Sequence, residues 1–255
     1  MGPGRSGRLN MFKTRATVVL NTFKKGDRMG ERGAGTRERL VETALRLFRE
    51  DGYQAATMRR IATEAGVSLG NAYYYFASKD DLVRELYLTV QRAHRELAAP
   101  RLRRGASLTE NLRTVLHAGI DVMAPYQEFG SSFLTVALPP SSPSSPFSAD
   151  SADARAQAIG LMREALAMSR GRPSGPLAER LPTLLWLAYL GITLHWVTDA
   201  SPGQARTRQL IDGVTPILTR LVTLARLPVG RRLVADVGAV MDLVAAPVEP
   251  VAVAR

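Results

Sequence analysis

The side chains whose types and spacing could do chemistry fall into two sets. His117 with Asp121 and His195 with Asp199 both read H-x-x-x-D, which sets an imidazole and a carboxylate on one helix face and suits metal chelation. The structural alternative is a hydrogen-bonded helix surface for the first pair and a C-terminal helix cap for the second. His94 is the one remaining histidine, cysteine is absent, and no glycine-rich phosphate loop or Ser/His/Asp spacing stands out. The chain therefore reads as a non-enzyme, with no resident metal and no cofactor. The second set is Gly70, Tyr73, Tyr74 and Lys79. Phenols and an ammonium around a glycine that admits a close backbone suit the phosphates and grooves of a duplex.

The elements that position this second set occupy Thr57 to Lys79. Thr57 is an N-cap residue, and Ile61, Ala62 and Ala65 form an apolar stripe at helical spacing. Gly66 supplies the left-handed residue that ends the helix, and Val67 plugs the turn. Ser68 caps a second short helix with Ala72, Tyr75 and Phe76 inward and Tyr73 and Tyr74 outward. Two short helices joined by a glycine turn make a helix-turn-helix, whose second helix enters the major groove. An ordinary helical hairpin would carry Glu and Lys on its outer face instead. Thr36–Asp51 is an amphipathic helix in front, and Ser78 with Asp81 makes a capping box opening a connector helix that ends near Leu97.

Charge divides the chain in the same way. Residues 1–104 hold 21 Lys and Arg against 11 Asp and Glu, while residues 105–255 hold 13 against 12. A basic head on a near-neutral body is the footprint of a DNA-binding module. An anionic membrane surface would attract the same charge, but the tyrosines and the turn favour DNA. The absence of cysteine fits a cytoplasmic protein. The apolar run Ala16–Leu20 is too short for a secretory signal, and Leu184–Val197 is too short to span a bilayer. Residues 1–35 read as a flexible basic arm, with Met29 as an alternative start.

The remaining chain reads as helical. A helix runs from a Ser107–Glu110 cap to Ala124, where Pro125 breaks it, and a short one follows around Phe129. Pro139–Asp150 is a Ser/Pro-rich loop expected not to pack a core. Helices follow over Ala152–Ser169, Leu177–Thr198 and Gly203–Leu224. Leu177–Thr198 is apolar nearly all round, so it needs a core on one side and a partner subunit on the other. Leu184, Leu187, Leu210, Val214 and Leu218 recur at helical spacing as the expected dimer face. Residues 36–82 are thus a helix-turn-helix domain, 83–228 an effector-binding and dimerisation domain, and 229–255 a tail.

Three motifs carry a resemblance. They are A-x-x-L-F-x-x-x-G-Y at Ala44–Tyr53, T-x-x-x-I-A-x-x-A-G-V-S at Thr57–Ser68 and Y-Y-Y-F-x-S-K-x-x-L at Tyr73–Leu82. Together they resemble the DNA-binding domain of the tetracycline-repressor (TetR) family of bacterial transcriptional regulators. The resemblance implies an all-α homodimer that represses from a palindromic operator and is released by a small molecule. It also implies that Thr57, Ser68, Gly70, Tyr73, Tyr74 and Lys79 touch DNA, mostly at phosphates. Leu69 departs from the family's frequent Lys or Arg and offers only an apolar contact, for instance to a thymine methyl.

The body's aromatics are core residues first, and the resemblance implies that some line an effector cavity. The expected lining is Met123, Phe129, Phe133, Met162, Trp186 and Tyr189, with His117 and Tyr126 orienting the ligand's polar end. Such walls suit a mostly apolar effector. Two rival readings stand beside this one: a metal-dependent sensor or enzyme built on the H-x-x-x-D pairs, and a DNA-architectural protein with no effector.

Overall fold

The computed structural model describes residues 31–224, apart from 128, 131–133, 135, 136, 138–141 and 172–175. The expectations for the arm up to residue 30, for Phe133 and for the tail lie outside these residues. Among the described residues there is no strand, and the main elements are α-helices: α1 Glu31–Glu50, α2 Met58–Glu64, α3 Leu69–Tyr75, α4 Lys79–Ala98, α5 Leu108–Met123, α6 Ala152–Met168, α7 Pro176–Thr198 and α8 Ala205–Leu224. Helix α1 starts five residues before the expected Thr36. Gly33 and Gly35 obscured that first turn, since each glycine disfavours helix by about 1 kcal/mol, and Thr36 looked like a cap.

The head is α1 to α3 closed by the first half of α4. Leu40, Leu47 and Phe48 of α1 bury against Ile61 and Ala62 of α2, Ala72 of α3, and Phe76 and Leu82. Val67 and Tyr75, expected inside, are only partly buried at the edge of this core. The expected capping box opens α4, with Ser78 Oγ accepting from the Asp81 amide and the Asp81 carboxylate accepting from the Ser78 amide. Helix α4 packs on α1 and then continues along α5 and α6, so one rigid element crosses from head to body.

In the body a second capping box, Ser107 with Glu110, starts α5. Leu112, Val115, Leu116 and Ile120 of α5 are buried against α4, α6, α7 and α8. Gly119 is required there because a Cβ at that position would lie 2.5 Å from the Tyr189 hydroxyl. Helix α7 differs from its expected reading in one respect. Its Ala178–Thr198 stretch is long and apolar enough, by length and composition alone, to cross a membrane. The shorter run counted from the sequence missed this because Thr193 and His195 interrupt it. Yet Leu181, Leu185, Trp186, Tyr189, Ile192 and Trp196 face protein, which is the pattern of a core helix.

The Ser/Pro-rich loop corrects an expectation. Ser144 and Ser145 are buried. The Arg155 guanidinium donates to the carbonyls of Pro146 and Ser148 at 2.7 and 2.9 Å. Arg84 of α4 pairs with Asp150 at 2.8 Å, and the Phe147 ring meets Trp186 edge-on with centroids 5.4 Å apart. Composition suggested an unpacked loop, but backbone carbonyls held by an arginine in the first turn of the following helix anchor it.

Candidate nucleic-acid interface and body cavity

The helix-turn-helix is built by local hydrogen bonds. Thr57 Oγ1 accepts from the Arg60 amide at 3.2 Å, starting α2. That helix ends at Gly66 in the left-handed region, φ +68. The Gly66 and Val67 amides return to the Thr63 and Ala62 carbonyls, the paired closure that satisfies a helix's last carbonyls. Ser68 Oγ accepts from the Asn71 amide at 3.1 Å and starts α3. In both caps the hydroxyl oxygen is the acceptor, which leaves its O–H able to donate outward.

Helix α3 presents its outer face to solvent. Tyr74 is 74% exposed and Tyr73 50%, high values for aromatic rings. The Tyr74 ring is braced edge-on by Tyr75, with centroids 5.1 Å apart. Gly70 is exposed, with no atom within 4 Å of a built Cβ, and Leu69 is partly buried. Lys79 sits differently from the others. Its Nζ donates to the Tyr53 carbonyl at 2.7 Å and lies 4.4 Å from the Tyr53 ring centroid. Burial there pushes the ammonium pKa below its ordinary value. The Tyr53 hydroxyl donates to Asp80 at 2.5 Å, and burial first, then this bond, pushes the phenol's pKa up. The turn after α1 is thereby tied to the start of α4.

A charge network locks α1 to α2. Glu64 accepts from Arg46 and Arg60, and Arg60 also reaches Asp51 at 2.9 Å. The Arg46 bond and then the Arg60 bond hold the Glu64 carboxyl below its usual range. Arg37 pairs with Glu85 through two 2.6 Å bonds and lies over the Phe76 ring.

In the body, α4, α5, α7 and the start of the segment after α5 line a cavity of about 90 Å³. Met123, Tyr126, Phe129, Trp186 and Tyr189 line it. His117 and Met162 do not. Met162 is fully buried in the α6 core, and His117 lies on the outer side of α5, where its Nε2 meets Asp212 of α8 at 3.1 Å. Sequence spacing placed both on helices but could not say which neighbour each faces. The cavity wall also includes Leu86, Tyr87, Val90 and Gln91 of α4, Pro146 of the loop, and Thr193 and Trp196 of α7. From sequence, Leu86 and Val90 read only as part of the apolar stripe of the connector helix, and Trp196 only as a core aromatic. The available signal was Gln91 beside the apolar Leu82–Leu86–Val90 stripe of α4.

The structure does not assemble the H-x-x-x-D pairs as chelates. Asp121 accepts from Arg208 of α8 at 2.8 Å, while His117 meets Asp212 of the same helix. His195 meets Thr207 at 3.0 Å. Asp199 accepts from the Ser201 and Thr207 amides and hydroxyls. It therefore organises the start of α8 rather than capping α7. Burial opposes its charge, but those four donors prevail and hold the carboxyl well below the usual range. Among the described residues no group of three or more His, Asp or Glu could hold a metal.

One contact joins the two regions directly. Phe129, a cavity wall residue, stacks on Phe48 of the head core with centroids 5.4 Å apart and planes 19° from parallel.

Residues 40–86 match the family described as bacterial regulatory proteins, tetR family. Residues 111–240 match the tetracyclin repressor-like C-terminal domain. An uncharacterized HTH-type transcriptional regulator of Xanthobacter autotrophicus is 34% identical over 110 residues, 40% of this chain and 54% of the relative. The HTH-type transcriptional repressor KstR2 of Mycobacterium tuberculosis is 42% identical over 60 residues, 24% of this chain and 30% of its own length. The chain thus spans about half or less of the length of these curated relatives. Two solved structures share the fold. A putative TetR-family regulator from Syntrophomonas wolfei has TM-score 0.55 at 16% identity, covering 72% of this chain and 94% of the other. The TetR regulator from Nitrosomonas europaea has TM-score 0.52 at 18% identity, covering 71% and 96%. With one family match spanning half of the chain and a second covering its helix-turn-helix, this protein belongs to the TetR family of bacterial transcriptional regulators.

Proposed function

We propose that the protein is a cytoplasmic repressor that binds a palindromic operator as a homodimer and is released by a small, mostly apolar effector in the body cavity. The Phe48–Phe129 stack carries this reading, because it makes a cavity wall part of the head's support. The cavity of about 90 Å³ is well below the roughly 300–1,000 Å³ of drug-sized ligand sites. A larger effector must push the walls outward, and one of those walls is Phe129.

Thr57, Ser68, Gly70, Tyr73, Tyr74 and Lys79 are the proposed backbone contacts, with Leu69 against a base methyl. Two copies reading successive major grooves need their α3 helices about 34–36 Å apart. A few ångströms of displacement transmitted along α4 and through Phe48 therefore spoil one half-site. The dimer face is proposed on α7 and α8. Leu194 is 43% exposed, and Leu210, Ile217 and Leu221 are also exposed at helical spacing. The expected Leu184, Leu187, Val214 and Leu218 lie beside them, partly buried. Adjacent apolar helices of this kind from two subunits would close into a four-helix interface.

Linkage provides the test. A releasing effector must bind free dimer more tightly than DNA-bound dimer, and DNA must weaken effector binding by the same factor. Mobility-shift titrations with operator, with and without a bound effector, are expected to show that reciprocal loss. An effector that occupies the cavity and leaves operator affinity unchanged overturns release. Operator binding that survives Tyr73→Ala with Tyr74→Ala overturns the interface.

A further inference from the structure

The cavity has a chemical character that its apolar majority conceals. No Asp, Glu, Lys, Arg or His side chain lines it. Several polar atoms of its lining residues are nevertheless buried without a partner among the described residues: Gln91 Oε1, the Tyr87 hydroxyl, and the indole N–H groups of Trp186 and Trp196. Tyr87 and Trp186 lie close enough to influence each other, but neither reaches hydrogen-bond geometry. Gln91 comes from α4 and Trp196 from α7, two of the helices that line the cavity. A buried polar group with no partner is costly, and folded proteins seldom keep several in one place unless something binds there.

Each orphaned atom limits what can satisfy it. An indole N–H only donates, so Trp196 and Trp186 call for an acceptor oxygen or nitrogen. Gln91 Oε1 only accepts, while the Tyr87 phenol can donate or accept, so both accommodate a hydroxyl. Charge is disfavoured, since an ion would enter with no opposite charge in the walls. Arg155, which acts on Tyr87, and His94, which lies against Tyr189, do not supply one. The Arg155 guanidinium is held by the Pro146 and Ser148 carbonyls. His94, whose ring centroid is 5.3 Å from that of Tyr189, is fully buried and kept neutral. Aromatic faces do attract cations, so a cationic ligand is the competitor to test.

From this geometry we infer that the effector class is an uncharged ring- or hydrocarbon-bearing alcohol or phenol, whose oxygen is held between Gln91 of α4 and Trp196 of α7. The inference rests on the effector-cavity reading proposed above. It adds that ligand recognition bridges the connector helix and α7, so the bound oxygen pulls on α4 itself.

The test uses the full chain without DNA. Its only two tryptophans, Trp186 and Trp196, both line the cavity, so intrinsic fluorescence reports on this site alone. Four probes share one ring: benzyl alcohol, toluene, benzoate and benzyltrimethylammonium. Benzyl alcohol is expected to bind at least tenfold more tightly than either ion. Gln91→Leu is expected to lower the ratio of alcohol to toluene affinity by roughly tenfold, the loss of one hydrogen bond. If Gln91→Leu does not melt cooperatively, Trp196→Phe decides instead, since it keeps a ring and removes the N–H, and Trp186 remains to report. Tighter binding of benzoate or the ammonium, an unchanged ratio in the deciding variant, or no response to any probe overturns the inference. Operator is absent from these titrations. Alcohol binding that later proves not to alter DNA affinity therefore leaves the ligand chemistry standing and counts only against release.

Discussion

The head and the body are both helical and packed side by side, yet they are specified in opposite ways. In the head, the parts that matter are neighbours in sequence. Thr57 caps α2 through Arg60, Gly66 closes it three residues past Thr63, and Ser68 caps α3 through Asn71. In the body, the cavity takes residues from α4, from the segment after α5, from the loop at Pro146 and from α7. None of these is within hydrogen-bonding range of another along the chain. A surface that reads DNA can be written in local hydrogen bonds, whereas a concave apolar site requires distant elements to enclose it. The two regions should accordingly respond differently to substitution.

The largest effect is expected where body and partner meet. Ile217 is 55% exposed on α8, and Ile217→Glu would bury an unpaired charge in the proposed interface, at a cost of about 3–5 kcal/mol. Sedimentation is expected to show a folded monomer, and operator binding to fall with it. A variant that stays dimeric would move the interface elsewhere.

Acid should distinguish the regions next. Burial first holds the His94 imidazole pKa down at about 4, against the opposing pull of its 2.8 Å bond to the Val115 carbonyl. The unfolded chain takes up that proton near pH 6.5, the folded chain only near pH 4. Stability therefore falls as pH drops through this window, by about 3 kcal/mol in all, and is insensitive to this group below it. His94→Gln, which can still donate to Val115, is expected to flatten that slope in denaturant titrations from pH 7 to pH 4.

Gly119→Ala probes the tightest contact in the body. The added methyl meets the buried Tyr189 ring, and overpacking of this kind costs about 1–3 kcal/mol. The expected result is a lower melting temperature with changed tryptophan emission and little change in operator contacts. The smallest effect is expected at Lys79, whose ammonium already has the Tyr53 carbonyl. If it transfers to a phosphate on binding, Lys79→Ala flattens the log–log salt dependence of operator binding by roughly one unit. An unchanged slope would confine Lys79 to bracing α4.

Much of the head was legible because caps, glycine turns and apolar stripes act over three or four residues. The α4 and α5 capping boxes fall at the expected Ser78 and Ser107. The start of α1 was not legible, because Gly33 and Gly35 weaken the local signal that α1's packing overrides. His117 illustrates the limit in the body. Its position on a helix was clear, but its partner is Asp212, ninety-five residues away.

Sequence alone determined the all-helical class, the helix-turn-helix with its outward tyrosines, and the basic head on a neutral body, because propensity, capping and charge belong to short stretches of chain. Only the tertiary structure decided which aromatics enclose the cavity, that the Ser/Pro-rich loop is pinned by Arg155, that Asp199 starts α8, and that Phe129 leans on Phe48. Each of these depends on which surfaces meet when helices pack, and a helix's own periodicity says how much of it is apolar but not what its apolar side will touch.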